Sequence, residues 1–168
     1  MAEGEGSKKK VVVIAMDESQ QSAKALEWYL KELHKPDDQV HIVSAVEVGA
    51  TPIIGMYPSS VGIPDLTSLK EEFERKKKHL AGFLQTTLEQ SHYKGMKIHA
   101  DVLDNGRPGE VIVQKSQELG ASMVVMGTRG LGTIRRTILG SVSDYVIHHA
   151  HCPVLVHRPL EGKAPANP

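Results

Sequence analysis

Gly127, Gly130, Gly140 and Ser141 are the residues of this sequence whose type and spacing suggest chemistry most strongly. They follow a short apolar run, Met123 to Met126, that reads as a buried strand stopping at Gly127. Gly132 adds a further glycine to the loop. Ser141 then opens a segment in which Val142, Tyr145, Val146 and His149 fall on one face of a helix. Strand, glycine loop and helix start together make the layout of a phosphate site. Glycine lets backbone approach a ligand with no Cβ in the way, and the unpaired N–H groups and dipole of a helix start favour an anion. A plain turn would give the same local pattern. Two other fingerprints are absent: there is no G-x-x-x-x-G-K-[ST], and Gly130-Leu131-Gly132 is followed by Thr133-Ile134-Arg135, without the third glycine of G-x-G-x-x-G.

Other reactive side chains are weaker signals. Asp17 closes the first apolar run, where a carboxylate can accept hydrogen bonds from a ligand or cap the next helix. Arg129, Arg135 and Arg136 add positive charge beside the glycine loop, although the last two also read as solvated side chains. His148, His149 and His151 invite a metal reading. Adjacent helix positions diverge by about 100°, so surface or dimer-contact histidines are expected instead. Cys152, just before the last strand, reads as a core cysteine rather than a reactive one. Phosphoryl transfer wants a positioned base or water and strong charge stabilisation. No placed base, P-loop lysine or catalytic glutamine is evident, so binding is expected and any phosphoryl hydrolysis should be slow.

Bulk properties narrow the class. The 168 residues suit one domain with a sizeable core. Twenty basic residues balance twenty acidic ones and the pI is near 7.1, which leaves no electrostatic footprint for nucleic acid. No apolar run approaches the roughly 18 residues of a membrane helix. Met1 to Lys10 is polar, unlike a signal peptide. A single cysteine excludes an internal disulfide and fits a reducing compartment. The expected location is the cytoplasm, with nothing that bars the nucleus.

The supporting elements follow from periodicity. Val11 to Met16 reads as a first strand covered on both faces. Ser19 or Ser22 can cap a helix whose apolar face is Ala23, Leu26, Leu30 and Leu33, widened by Trp28 and Tyr29. Val40 to Val46 is a second strand. Glu47 to Leu66 is a Gly- and Pro-punctuated connection, either a mobile insertion or a lid over a ligand or partner. Thr67 to about Ser91 is a helix, Met96 to Leu103 a third strand, and Gly106-Arg107-Pro108 a turn into a helix buried through Val111, Ile112 and Leu119 and ended by Gly120. Ser141 is expected as N-cap of the next helix, with Asp144 three residues on. Pro153 to His157 is a fifth strand at an edge. Residues 1–8 and 159–168 read as tails. Strands alternating with helices predict an α/β fold: one open five-stranded parallel sheet with helices on both faces and right-handed crossovers.

Gly127-x-x-Gly130, nine further residues and Gly140-Ser141 make the spacing G-2x-G-9x-G-[ST]. In this the chain resembles the ATP-binding branch of the universal stress protein family. The resemblance runs from residue 9 to 158 and takes in Val11-Val12-Val13-Ile14-Ala15-Met16-Asp17, the Gly106-Arg107-Pro108 turn and Cys152-Pro153-Val154-Leu155-Val156. It implies strand order 3-2-1-4-5, a Rossmann-like sheet of the adenine nucleotide alpha hydrolase type. The ligand then belongs where that order reverses, outside the ends of strands one and four. By resemblance, Ala15, Met16 and Asp17 meet the adenosine and Ala45 packs on adenine. Met126, Gly127, Thr128, Arg129 and Gly130 follow the ribose and phosphates, and Gly140, Ser141, Val142 and Ser143 offer N–H and hydroxyl groups to the phosphates. The implied ligand is ATP, or AMP or ADP, with Mg²⁺ arriving on a triphosphate. The implied assembly is a homodimer through the last strand, Pro153 to His157, acting on an unknown signalling partner. A slow ATP hydrolase and a nucleotide-independent chaperone-like module are the alternatives.

Overall fold

Val12, Val13 and Ile14 have no solvent exposure at all. Three successive residues can be that deeply buried in a strand only when both of its faces are covered, as in a parallel sheet carrying helices on each side. The computed structural model describes residues 9–45, 66–90, 98–103, 107–128 and 139–159. In chain order these form β1 (Val11–Ala15), α1 (Gln20–Glu32), β2 (Gln39–Ala45), α2 (Leu66–Gln90), β3 (Ile98–Leu103), α3 (Pro108–Glu118), β4 (Met123–Gly127), α4 (Ser141–His149) and β5 (Val154–His157). Among the described residues the strands lie in the order β3-β2-β1-β4-β5, and every neighbouring pair is parallel. Residues 1–8, 46–65, 91–97, 104–106, 129–138 and 160–168 lie outside the described residues, and with them the expected strand and helix ends at Val46, Ser91 and Met96 and the expected site residues Arg129, Gly130, Arg135 and Arg136.

Alternation along the strands sorts the core into two layers. Val12 and Ile14 of β1, Val40 and Ile42 of β2 and Val125 of β4 pack with Ala25, Leu26, Tyr29 and Leu30 of α1 and with Leu80 and Leu84 of α2. Val13, Ala15, Val43, Val124 and Met126 point the other way, onto Ile112 of α3 and Val146 of α4. Burying a Val, Leu or Ile side chain contributes about 1.5–3 kcal/mol, so these layers dominate the stability of the domain. The expected α/β layering on a parallel sheet is present.

Several expected details are corrected. Leu33 is not part of the buried face of α1: it is the C-cap residue and 37% exposed. The chain has left the helix there, so the helical spacing that aligned Leu33 with Leu26 and Leu30 no longer applies. β1 ends at Ala15, with Met16 buried just beyond it. β4 stops at Gly127, as expected, with Gly127 itself still in register with His157 of β5. The end of α3 at Gly120 is as expected: Leu119 is the C-cap and Gly120 follows with φ 60°, the left-handed conformation that glycine tolerates.

Candidate functional site

β1 and β4 are neighbours, but the chain runs from β1 toward β2 and from β4 toward β5. The order therefore reverses between them, and in open parallel sheets such a reversal marks where a ligand crevice is formed, beyond the carboxyl ends of the two strands. The residues there are Ala15, Met16 and Asp17 on one side and Met126, Gly127 and Thr128 on the other.

The first wall is the start of α1. Ser19 is its N-cap, and its Oγ accepts the Ser22 N–H at 3.2 Å. The Ser22 hydroxyl reaches back to the carbonyl oxygens of Asp17 at 2.8 Å and Ser19 at 2.9 Å. Asp17 Oδ1 accepts both the Ser19 N–H, at 3.1 Å, and the Ser19 hydroxyl. Ser19 and Ser22 are both buried, so each polar group needs a partner, and this small network supplies them. Of the two capping serines open from the sequence, Ser19 takes the role and Ser22 ties the turn together. Just beyond, His79 Nδ1 of α2 lies 2.7 Å from Glu18 Oε1, joining α2 to the same turn.

The second wall is the end of β4 with the start of α4. The Thr128 N–H donates to the His157 carbonyl at 3.2 Å, and the Thr128 carbonyl accepts the Gly140 N–H at 3.0 Å. The Ser143 hydroxyl donates to the Gly140 carbonyl at 2.9 Å and toward the Thr128 carbonyl at 3.3 Å. This corrects two expectations. Ser141 is not the N-cap: Gly140 is, with φ −68° and ψ 150°, and its carbonyl receives the Asp144 N–H at 2.8 Å. The Gly140 amide and the Ser143 hydroxyl, expected to face a ligand, are instead bonded within the protein. Ser143 is 2% exposed. By helix geometry the first-turn N–H groups of Ser141, Val142 and Ser143 have no carbonyl one turn back to bond. Ser141 itself is exposed.

Ala45 ends β2, half-buried, in register with Leu103 of β3. Gly127 is buried, and the reason for a glycine there is steric. A Cβ at this position would lie 2.9 Å from the Gln21 carbonyl carbon and 3.0 Å from its oxygen. Nothing in the sequence pointed to Gln21, because the contact spans more than a hundred residues of chain. Ser44, fully buried beside Ala45 with an Oγ lacking a hydrogen-bond partner, was likewise not singled out.

The remaining reactive groups lie apart from the crevice. Cys152 packs partly buried against the second core layer, where burial pushes its thiol pKa up against an opposing backbone hydrogen bond from Val124. His148 pairs loosely with Asp144 at 3.8 Å, while His149 stacks on Tyr145 and bonds the Tyr145 carbonyl. Among the described residues no three His, Cys, Asp or Glu side chains are grouped for a metal ion, and no helix is long and apolar enough to cross a membrane.

Comparison with known proteins places this geometry among relatives. The model of the universal stress protein family matches residues 9–158. Universal stress protein MJ0531 of Methanocaldococcus jannaschii is 34% identical over 88% of this chain and 81% of its own length. Universal stress protein Sll1388 of Synechocystis is 30% identical over 86% and 95%. Among solved structures, a universal stress protein family protein from Arabidopsis thaliana with AMP bound superposes with a TM-score of 0.56 at 20% identity, covering 93% of this chain and 97% of its own. A universal stress protein in complex with cAMP gives 0.60 at 22%, covering 89% and 97%.

Proposed function

Since the chain belongs to the universal stress protein family, we propose that it is a regulatory protein that binds an adenine nucleotide in the crevice between β1 and β4 and acts as a homodimer. The observation that carries this reading is the bond from the Gly140 amide to the Thr128 carbonyl. It holds the first turn of α4 over the end of β4, so the N–H groups of Ser141 and Val142 stand at the sheet reversal, where an anion is favoured. Glycine at the N-cap brings no side chain to compete with a phosphate. Asp17, with Ser19 on Oδ1, keeps Oδ2 for a ribose hydroxyl. The AMP-bound and cAMP-bound relatives support the adenine part of the reading.

ATP is the ligand we assign, with AMP and ADP as variants of the same occupancy. Mg²⁺ would come with the triphosphate, coordinated mainly by phosphate oxygens and water. Residues Ala15, Met16, Ala45, Met126 and Thr128 line the adenosine side, and Ser141 to Ser143 the phosphate side. The role is binding and not turnover. β5 is an edge strand with four half-buried side chains, and pairing with its own copy across a two-fold axis would cover that edge.

Mass spectrometry of ligand released from the purified protein tests the reading. A co-purified adenine nucleotide is expected. Absence of one, with no thermal upshift on adding ATP, ADP or AMP, contradicts it. Phosphate release from Mg-ATP faster than about 1 s⁻¹ would make the protein a hydrolase instead. Sedimentation as a monomer at micromolar concentration would remove the dimer.

A further inference from the structure

We propose that Gly127 acts on the nucleotide as a positioning residue: its missing side chain is the seat for the first turn of α1, and its influence reaches the ligand through Asp17. The inference rests on the proposed function for its ligand, but the seat itself does not. A Cβ at Gly127 would meet the Gln21 carbonyl carbon at 2.9 Å, its oxygen at 3.0 Å and its Cβ at 3.2 Å. Two of these three atoms are helix backbone, which cannot turn aside as a flexible side chain can. Gly127 cannot relieve the overlap either, because it is buried in β4 and held in register with His157 on an adjacent strand. A methyl group here must therefore push the α1 turn outward.

That turn carries the polar network at the crevice. Gln21 is followed by Ser22, whose hydroxyl bonds the carbonyls of Asp17 and Ser19 and whose N–H bonds Ser19 Oγ. Ser19 in turn holds Asp17 Oδ1. A shift at Gln21 thus passes through two buried serines to the carboxylate. The contact with Gln21 is by itself a sufficient reason for glycine at 127. A direct role at the phosphates and a seat for α1 differ in what they predict: the first acts on phosphate-bearing ligands, the second on the nucleoside as well.

The test uses the full chain with Gly127→Ala and Ser22→Ala, at a temperature well below the unfolding midpoint of each. In amide ¹⁵N–¹H spectra without ligand, Gly127→Ala should shift Ser19 to Ser22 most. By calorimetry, adenosine and ATP should both weaken by about the same factor, on the order of tenfold. In an Asp17→Ala background, Gly127→Ala should weaken adenosine no further. Ser22→Ala, which adds no bulk, should weaken both ligands equally but less, and it decides the matter if Gly127→Ala does not fold. Amide shifts confined to residues 126–128, a loss for ATP without one for adenosine, or unchanged binding in Ser22→Ala would overturn the proposal. Wild-type protein that binds neither ligand would remove the proposed function, and the seat would then stand or fall on the amide shifts.

Discussion

The Tyr29 hydroxyl donates a hydrogen bond to Asp38 Oδ2 at 2.8 Å, clasping the middle of α1 to the turn that enters β2. The same oxygen accepts the Lys35 N–H at 3.0 Å, and His34 Nδ1 lies 4.0 Å away. Tyr29 is fully buried and the Asp38 side chain is 4% exposed. The clasp explains how a tyrosine can sit in the core layer of α1: its ring packs as an apolar body and its polar tip has a charged acceptor.

Loss of this bond should be costly. Tyr29→Phe is expected to destabilise the protein by about 2 kcal/mol, since it removes a hydrogen bond to a charged, buried acceptor. Burial, then the hydrogen bond and negative charge of Asp38, hold the Tyr29 hydroxyl well above the ordinary phenol range. A raised pKa means that the folded state keeps its proton longer than the unfolded state. The contribution is complete below about pH 10, the unfolded value, and is lost as pH climbs from there toward the folded value. Urea unfolding across that range should give a falling stability in wild type and a shallower fall in Tyr29→Phe. Equal slopes would contradict the assignment.

Trp28 of α1 stacks on His157 of β5, with ring centroids 5.4 Å apart. Burial, and then the charge of Lys24, lower the pKa of His157. A depressed value makes the neutral ring the stable form in the fold. Its contribution is present above about pH 6.5 and is lost as pH falls through the lower folded value. The chain has one tryptophan, so its fluorescence reports this ring directly. A titration should show a transition centred below that of free histidine, absent in His157→Phe. A midpoint at or above the free value would refute the prediction.

α3 and α4 touch through Gly109, where a Cβ would lie 2.7 Å from Tyr145 Cδ1. Gly109→Ala should therefore cost about 1–3 kcal/mol through overpacking. Tyr145→Leu in the same chain should recover part of the loss, because the two changes share one contact. Additive losses in chemical denaturation would mean that the clash is relieved elsewhere.

Much of the architecture was legible in the sequence. Apolar runs such as Val11 to Met16 and Met123 to Met126, alternating with helical spacing, led to parallel α/β layering because burial on both faces imposes that pattern. What could not be read were contacts between distant residues. A serine after a glycine is ordinarily the better N-cap, yet Gly140 caps α4, because its amide is tied to Thr128 and its carbonyl receives Asp144. Gly127 was legible as a glycine that mattered, but not as one required by Gln21. The clasp of Tyr29 on Asp38 left no signal, since nothing in local spacing marks a tyrosine whose hydroxyl is satisfied nine residues on.

The most direct measurement of the central claim is calorimetry of ATP and AMP against wild type and Gly140→Asp. At φ −68° and ψ 150° the N-cap backbone is in a conformation that any L-residue adopts, and aspartate is a favoured cap that complements the helix dipole. The variant should therefore keep or slightly raise its unfolding temperature while losing nucleotide binding, because a carboxylate would stand at the anion end of the crevice. Undiminished affinity in a folded Gly140→Asp protein would show that the phosphates do not sit at the start of α4.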